Sequence, residues 1–121
     1  MASHKCDAVI VNCMDFRLQK YIRKFTDKKL KGKAFDLVSY AGSTKSLAII
    51  VKQIELSVKL HQTKEVYLIH HEDCGAYGKE STYERHVKDL KTAKNKILKK
   101  YPKLKVHLYY LYLSGKFEEI N

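Results

Sequence analysis

The chain has 121 residues, 45% of them hydrophobic and 31% charged, with one Pro and five Gly. This excludes collagen-like, low-complexity and mucin-like chains and predicts one domain spanning residues 1–121. Net charge is +11, but only three of the 24 basic residues are Arg, the side chain suited to bidentate phosphate or base contacts, so the excess predicts steering of anions and not a nucleic-acid partner.

Asp7 to Asn12 is a short apolar run rich in β-branched residues and reads as a buried parallel strand. Leu18, Tyr21, Ile22, Phe25 and Leu30 follow at mostly helical spacing, and Gly32 is a stop. Phe35 to Tyr40 is a second strand, closed by Ala41-Gly42-Ser43. A helix from about Lys45 to Leu60 carries the stripe Leu47, Ile50, Val51, Ile54 and Val58. Glu65 to His70 is a third strand, running into the polar loop His71 to Gly78. The longest helix is predicted over Glu80 to Tyr101, ended by Pro102. Val106 to Leu113 is a fourth strand, and Lys116 to Ile120 a short edge segment after the turn Ser114-Gly115. The order predicts an α/β fold, a mostly parallel four- to five-stranded sheet with helices on both faces.

Sites in such sheets form at the carboxyl ends of strands. The two most polar, least periodic stretches, Cys13 to Arg17 and His71 to Cys74, fall there. In an extended segment Cys13, Asp15 and Arg17 point the same way. Cys13, His71 and Cys74 make a Cys2His set; soft thiolates with one imidazole favour zinc, and three protein ligands leave a fourth position open. The competing reading is that each cysteine is a small buried hydrophobe. Cys6, near the start of the first strand, reads as a thiol without a role.

No apolar run approaches the roughly 18 residues of a membrane span, and the segment MASHKCDAVIVNC lacks the apolar stretch of a signal peptide. Both predict an intracellular, cytoplasmic protein with no membrane partner.

Cys13-x-Asp15-x-Arg17, then Ala41-Gly42-Ser43, then His71-x-x-Cys74-Gly75-Ala76 resembles the signature of the β-class carbonic anhydrases. The resemblance covers most of the chain. It implies Zn2+ held by Cys13, His71 and Cys74, with Asp15 and Arg17 as the catalytic carboxylate–guanidinium pair and Gly42 at the substrate pocket. The implied reaction is hydration of carbon dioxide to bicarbonate by zinc-activated water. It also implies a homodimer or higher homo-oligomer, with the aromatic last strand (Tyr109, Tyr110, Tyr112) as one candidate interface and ordinary burial as the other explanation. His70 stands where the family has Gly, and is the alternative ligand if the loop register differs. The chain is short for the family, with no N-terminal arm and a reduced segment after Ala76. That leaves room for carbon disulfide or carbonyl sulfide as substrate. A non-catalytic zinc domain binding polyanions through its Lys-rich surface is the third reading, opposed by the presence of Asp15 and Arg17.

Overall fold

The computed structural model describes residues 4–121. Five strands form one sheet in the order β2-β1-β3-β4-β5. They are β1 (Ala8–Asn12), β2 (Phe35–Ser39), β3 (Glu65–His71), β4 (Lys105–Leu111) and β5 (Phe117–Ile120). The first four run parallel, and β5 turns back antiparallel on β4, with Leu111 opposite Phe117. The helices are α1 (Gln19–Lys29), α2 (Leu47–His61) and α3 (Tyr83–Lys100). No helix among the described residues is long and apolar enough to cross a membrane.

Both faces of the sheet are covered, which is why β1 reads as an unbroken apolar run: all five of its residues are buried. Val9 and Val11 face α2 and α3 and pack with Ile50, Ile54, Leu90 and Ile97. Ala8 and Ile10 face α1 and pack with Leu18, Ile22, Tyr67 and Tyr109. The longest helix starts later than periodicity predicts. Gly78–Glu80 forms a separate 3-10 turn, and Thr82 caps α3 by accepting the Arg85 amide at 3.1 Å.

Chain order also fixes where a site can form. From β1 the chain crosses to β2 on one side, and β3 then lies on the other side of β1. The loops leaving β1 and β3 therefore diverge at the switch point of the sheet, the place where open α/β sheets leave a crevice.

The aromatic strand β4 buries two of its tyrosines within the chain. Tyr109 packs on Phe25 at 4.9 Å between ring centroids, Tyr110 on Tyr83 at 5.1 Å, and both are buried. Of the two readings of that strand, the core reading describes these two rings. Exposed apolar side chains elsewhere include Met14, Phe16, Leu37 and Tyr40, with Phe16 86% exposed.

Glu55 ties α2 to α3. It accepts from Lys59 at 2.9 Å and from Lys100 at 2.5 Å. These lysines, Lys100 first, hold its carboxyl from an ordinary 4.5 down to about 2. A depressed folded pKa contributes stability that is complete above the unfolded value and is lost as pH falls through the folded one. Thermal melts between pH 5 and pH 2 are therefore expected to show the advantage of the parent over Glu55→Gln shrinking toward pH 2. Curves that stay parallel through that window count against the coupling.

Candidate metal centre

Cys13 leaves the carboxyl end of β1, His71 is the last residue of β3, and Cys74 lies in the turn that follows. Their donor atoms lie within 4.8 Å of one another, and all three residues are buried. The Cys13 and Cys74 sulfurs are 4.0 Å apart. Two thiolates bound at ~2.3 Å to one tetrahedral ion sit ~3.8 Å apart, so the pair needs almost no adjustment to share a zinc ion.

Two further observations fit a cation. His71 Nδ1 lies 2.7 Å from the Glu72 carbonyl oxygen, which can only accept, so the ring proton sits on Nδ1 and Nε2 carries a lone pair. Nε2 is buried and has no hydrogen-bond partner, a state shared among the described residues only by Asn12 Oδ1 and Ser43 Oγ. Leaving such an atom unpaired costs about 1–3 kcal/mol, and a metal ion removes that cost. The thiols tell the same story. Cys74 donates to Cys13, and the Gly42 amide donates to the same sulfur at 3.4 Å, so the Cys13 thiol drops to about 4. The thiolate beside it, and then burial, push Cys74 far up. Two sulfurs sharing one proton are poised to release it to a dication.

Asp15 and Arg17 meet as a forked pair. Arg17 Nη2 donates to Asp15 Oδ2 at 2.7 Å and Nε to Oδ1 at 3.1 Å, and the Arg17 amide donates to Oδ1 at 2.9 Å. This guanidinium holds the Asp15 carboxyl down at about 2. Asp15 Oδ2 lies 4.0 Å from His71 Nε2, so the carboxylate borders the space between the sulfurs and the ring. The convergence does not come from strand alternation. The chain bends into a 3-10 turn at Phe16–Leu18, and Asp15 caps that turn with its own side chain.

Further residues support the site, and of these only Ala41 and Gly42 stand in a motif. Asp73, at φ +55, clasps Arg17 from the other loop with its carbonyl at 2.9 Å and its carboxylate at 3.2 Å. Gln19 Nε2 donates to the carbonyls of Cys13 and Asp15 and holds the first loop in place. Gly42, at φ +81, turns its amide to the Cys13 sulfur, while Ala41 lines the cleft. A Cβ at Gly42 would stand 2.9 Å from Lys45 Cβ, so the position requires glycine. Tyr77 packs behind the two cysteines and donates to Asp89 at 2.6 Å.

His70 is not available as a ligand. Consecutive strand residues face opposite sides, and His70 points away from His71 into a buried polar chain. Its Nε2 meets Thr44 Oγ1 at 2.7 Å, and its Nδ1 meets His86 Nδ1 at 2.8 Å. His86 Nε2 reaches Ser81 Oγ at 2.9 Å, and that oxygen accepts the Cys74 amide at 2.8 Å. The Thr44 amide also points at His70 Nε2, so that nitrogen accepts. Hence His70 Nδ1 and His86 Nε2 carry the protons. Burial holds both rings neutral, His70 at about 3 and His86 at about 4. The network supports the Cys74 turn from below. The remaining histidines His4, His61 and His107 lie by the amino ends of the strands.

A cleft bordered by Cys13 and Asp15 has a volume of about 660 Å³ and is walled by Met14, Phe16, Ala41 and Ala76. A cleft of similar size, about 650 Å³, lies under Tyr101 and Leu104 but holds no converging metal donors. Donor chemistry, not volume, selects the site.

A family model described as "Putative carbonic anhydrase" matches residues 3–121. An uncharacterized protein of Rickettsia bellii is 29% identical over 136 residues, covering 97% of this chain and 83% of that protein. Among solved structures, the carbonic anhydrase from Glaciozyma antarctica superposes with a TM-score of 0.69 at 22% identity, covering 100% of this chain and 85% of the other. The apo form of a carbon disulfide hydrolase superposes with a TM-score of 0.63 at 12% identity, covering 99% of this chain and 81% of the other. At these identities the two structures establish the shared fold.

Proposed function

The chain belongs to the carbonic anhydrase family of β-class type, and on that premise we propose that it hydrates carbon dioxide reversibly to bicarbonate at a zinc ion held by Cys13, His71 and Cys74. The observation that carries this reading is the unpartnered lone pair of His71 Nε2, buried among two thiols and bordered by an ionised Asp15. A purely structural zinc site needs no such carboxylate.

Zinc in this position supplies a Lewis acid that brings the pKa of water toward 7. The protein does the rest. Arg17 keeps Asp15 ionised, so Oδ2 accepts a hydrogen bond from the attacking water and turns its lone pair toward the substrate carbon. Asp73 and Gln19 stop the pair from drifting. Met14, Phe16, Ala41 and Ala76 offer apolar walls suited to an uncharged linear substrate.

The exposed side chains of Met14, Phe16, Leu37 and Tyr40 flank this cleft and the free edge of β2. A second copy of the chain covering them makes a homo-oligomer, in place of an interface through the buried Tyr109 and Tyr110.

The same site suits carbon disulfide or carbonyl sulfide, and the fold shared with a carbon disulfide hydrolase favours keeping that reading. Stopped-flow hydration of carbon dioxide by zinc-loaded chain, at pH 7 and above pH 8.5, is expected to exceed the metal-stripped chain at both. Sulfide release from carbon disulfide or carbonyl sulfide with no hydration moves the assignment to the second reading. Inactivity on all three substrates overturns both.

A further inference from the structure

At the other end of the sheet, Cys6, Asp36 and His61 bring a thiol, a carboxylate oxygen and a ring nitrogen within 4.8 Å of one another. They come from three separate parts of the chain. Cys6 precedes β1, Asp36 lies on β2, and His61 ends α2. The His4 ring lies beside that of His61, with 4.8 Å between centroids, and stands outside this donor group. The cluster borders a cleft of about 340 Å³ lined by Lys5, Cys6, Asp7, Gln62 and Lys64. Cys6 and Cys13 stand seven residues apart along one strand direction, roughly 23 Å, so the cluster is separate from the Cys13–His71–Cys74 trio.

We propose that Cys6, Asp36 and His61 form a second zinc site, with its fourth position open, that fastens the segment before β1 to β2 and α2. Thiolate with imidazole and a single carboxylate selects zinc and its late first-row neighbours over magnesium or calcium. One thiolate and one carboxylate neutralise a dication, so the occupied site carries no net charge beside Lys5 and Lys64. Without metal, His61 Nδ1 lies 2.7 Å from Asp36 Oδ2 and Ser57 Oγ donates to the same oxygen at 2.7 Å. The Cys6 sulfur lies 3.2 Å from Thr63 Oγ1. The ion takes the place of the proton shared by His61 and Asp36, and the donors spread from 2.7 Å to ~3.3 Å, the separation of two ligands at ~2.0 Å on a tetrahedral ion. The His61 and Asp36 side chains are each about one-third exposed or less, which leaves room for that movement. Ser57 stays on the carboxylate and orients it, as an outer partner does in metal sites.

The test counts metal on the full chain, stripped, reloaded with Zn2+ and desalted. Two zinc ions per chain are expected for the parent, and one each for Cys6→Ser and for His61→Ala. Cys74→Ala, which disables only the other trio, is expected to retain one. A parent that holds one ion, unchanged by Cys6→Ser and lost in Cys74→Ala, overturns the second site and leaves the first standing. A parent that holds one ion, lost in Cys6→Ser and kept in Cys74→Ala, does the reverse. Co2+ added to Cys74→Ala gives a second readout: a thiolate-to-cobalt absorption band is expected, absent when Cys6→Ser is added.

Discussion

Cys74→Ala is expected to lose the zinc ion of the Cys13–His71–Cys74 trio and all hydration with it. Outer partners of a metal ligand already cost 10- to 100-fold in affinity when removed, so deleting a sulfur donor itself costs more than ~100-fold. The fold survives the change. Removing one buried sulfur leaves a cavity smaller than that of a Leu→Ala change and costs about 1 kcal/mol, within the stability of a domain this size. The Cys74 amide keeps its bond to Ser81, and the network through His86 and His70 stays intact. Zinc affinity measured against a chelator, beside a circular dichroism melt, separates the two effects. Full affinity in a folded variant refutes Cys74 as a ligand.

Asp15→Asn is expected to keep zinc and lower turnover by about 10²–10⁴-fold, the range attached to a positioned acid–base group. Asparagine retains an oxygen for Arg17 but lacks the charge that makes the carboxylate a committed acceptor. The Arg17 side chain is 37% exposed, so solvent screens the pair and its loss leaves the fold standing. Unchanged turnover at equal zinc content removes Asp15 from the chemistry. A loss of zinc instead makes it a ligand.

Much of the fold was legible because it follows local rules. The unbroken apolar run of β1, the 3.6-residue stripe of α2 and the glycine after α1 each report a neighbour or a bend within a few residues. The expected parallel sheet follows from their alternation. Boundaries were less legible. The separation of the Gly78–Glu80 turn from α3 depends on the Thr82 cap, and the bend at Phe16–Leu18 on an Asp15 side chain folding onto its own backbone. Periodicity sees neither.

Part of the candidate site was legible for a different reason. Cys13, Asp15, Arg17, His71 and Cys74 stand in two compact motifs, and donor type alone names the chemistry they suit. Asp73, Gln19, Thr44, Ser81 and His86 were not legible. Each acts through one hydrogen bond to a residue distant in sequence or to a backbone atom, and single bonds of this kind leave no spacing pattern. Cys6 read as a thiol without a role because Asp36 and His61, 30 and more residues away, belong to other elements.

The choice between His70 and His71 marks the division most clearly. The sequence by itself determined that a His-x-x-Cys pair and a distant Cys would end two strands, because apolar runs and polar loops alternate along the chain. Only the tertiary structure decided which imidazole faces the sulfurs. Neighbouring strand residues point to opposite sides, and on one side Thr44 of the loop before α2 and His86 of α3 take the two nitrogens of His70, while Nε2 of His71 on the other side stays free.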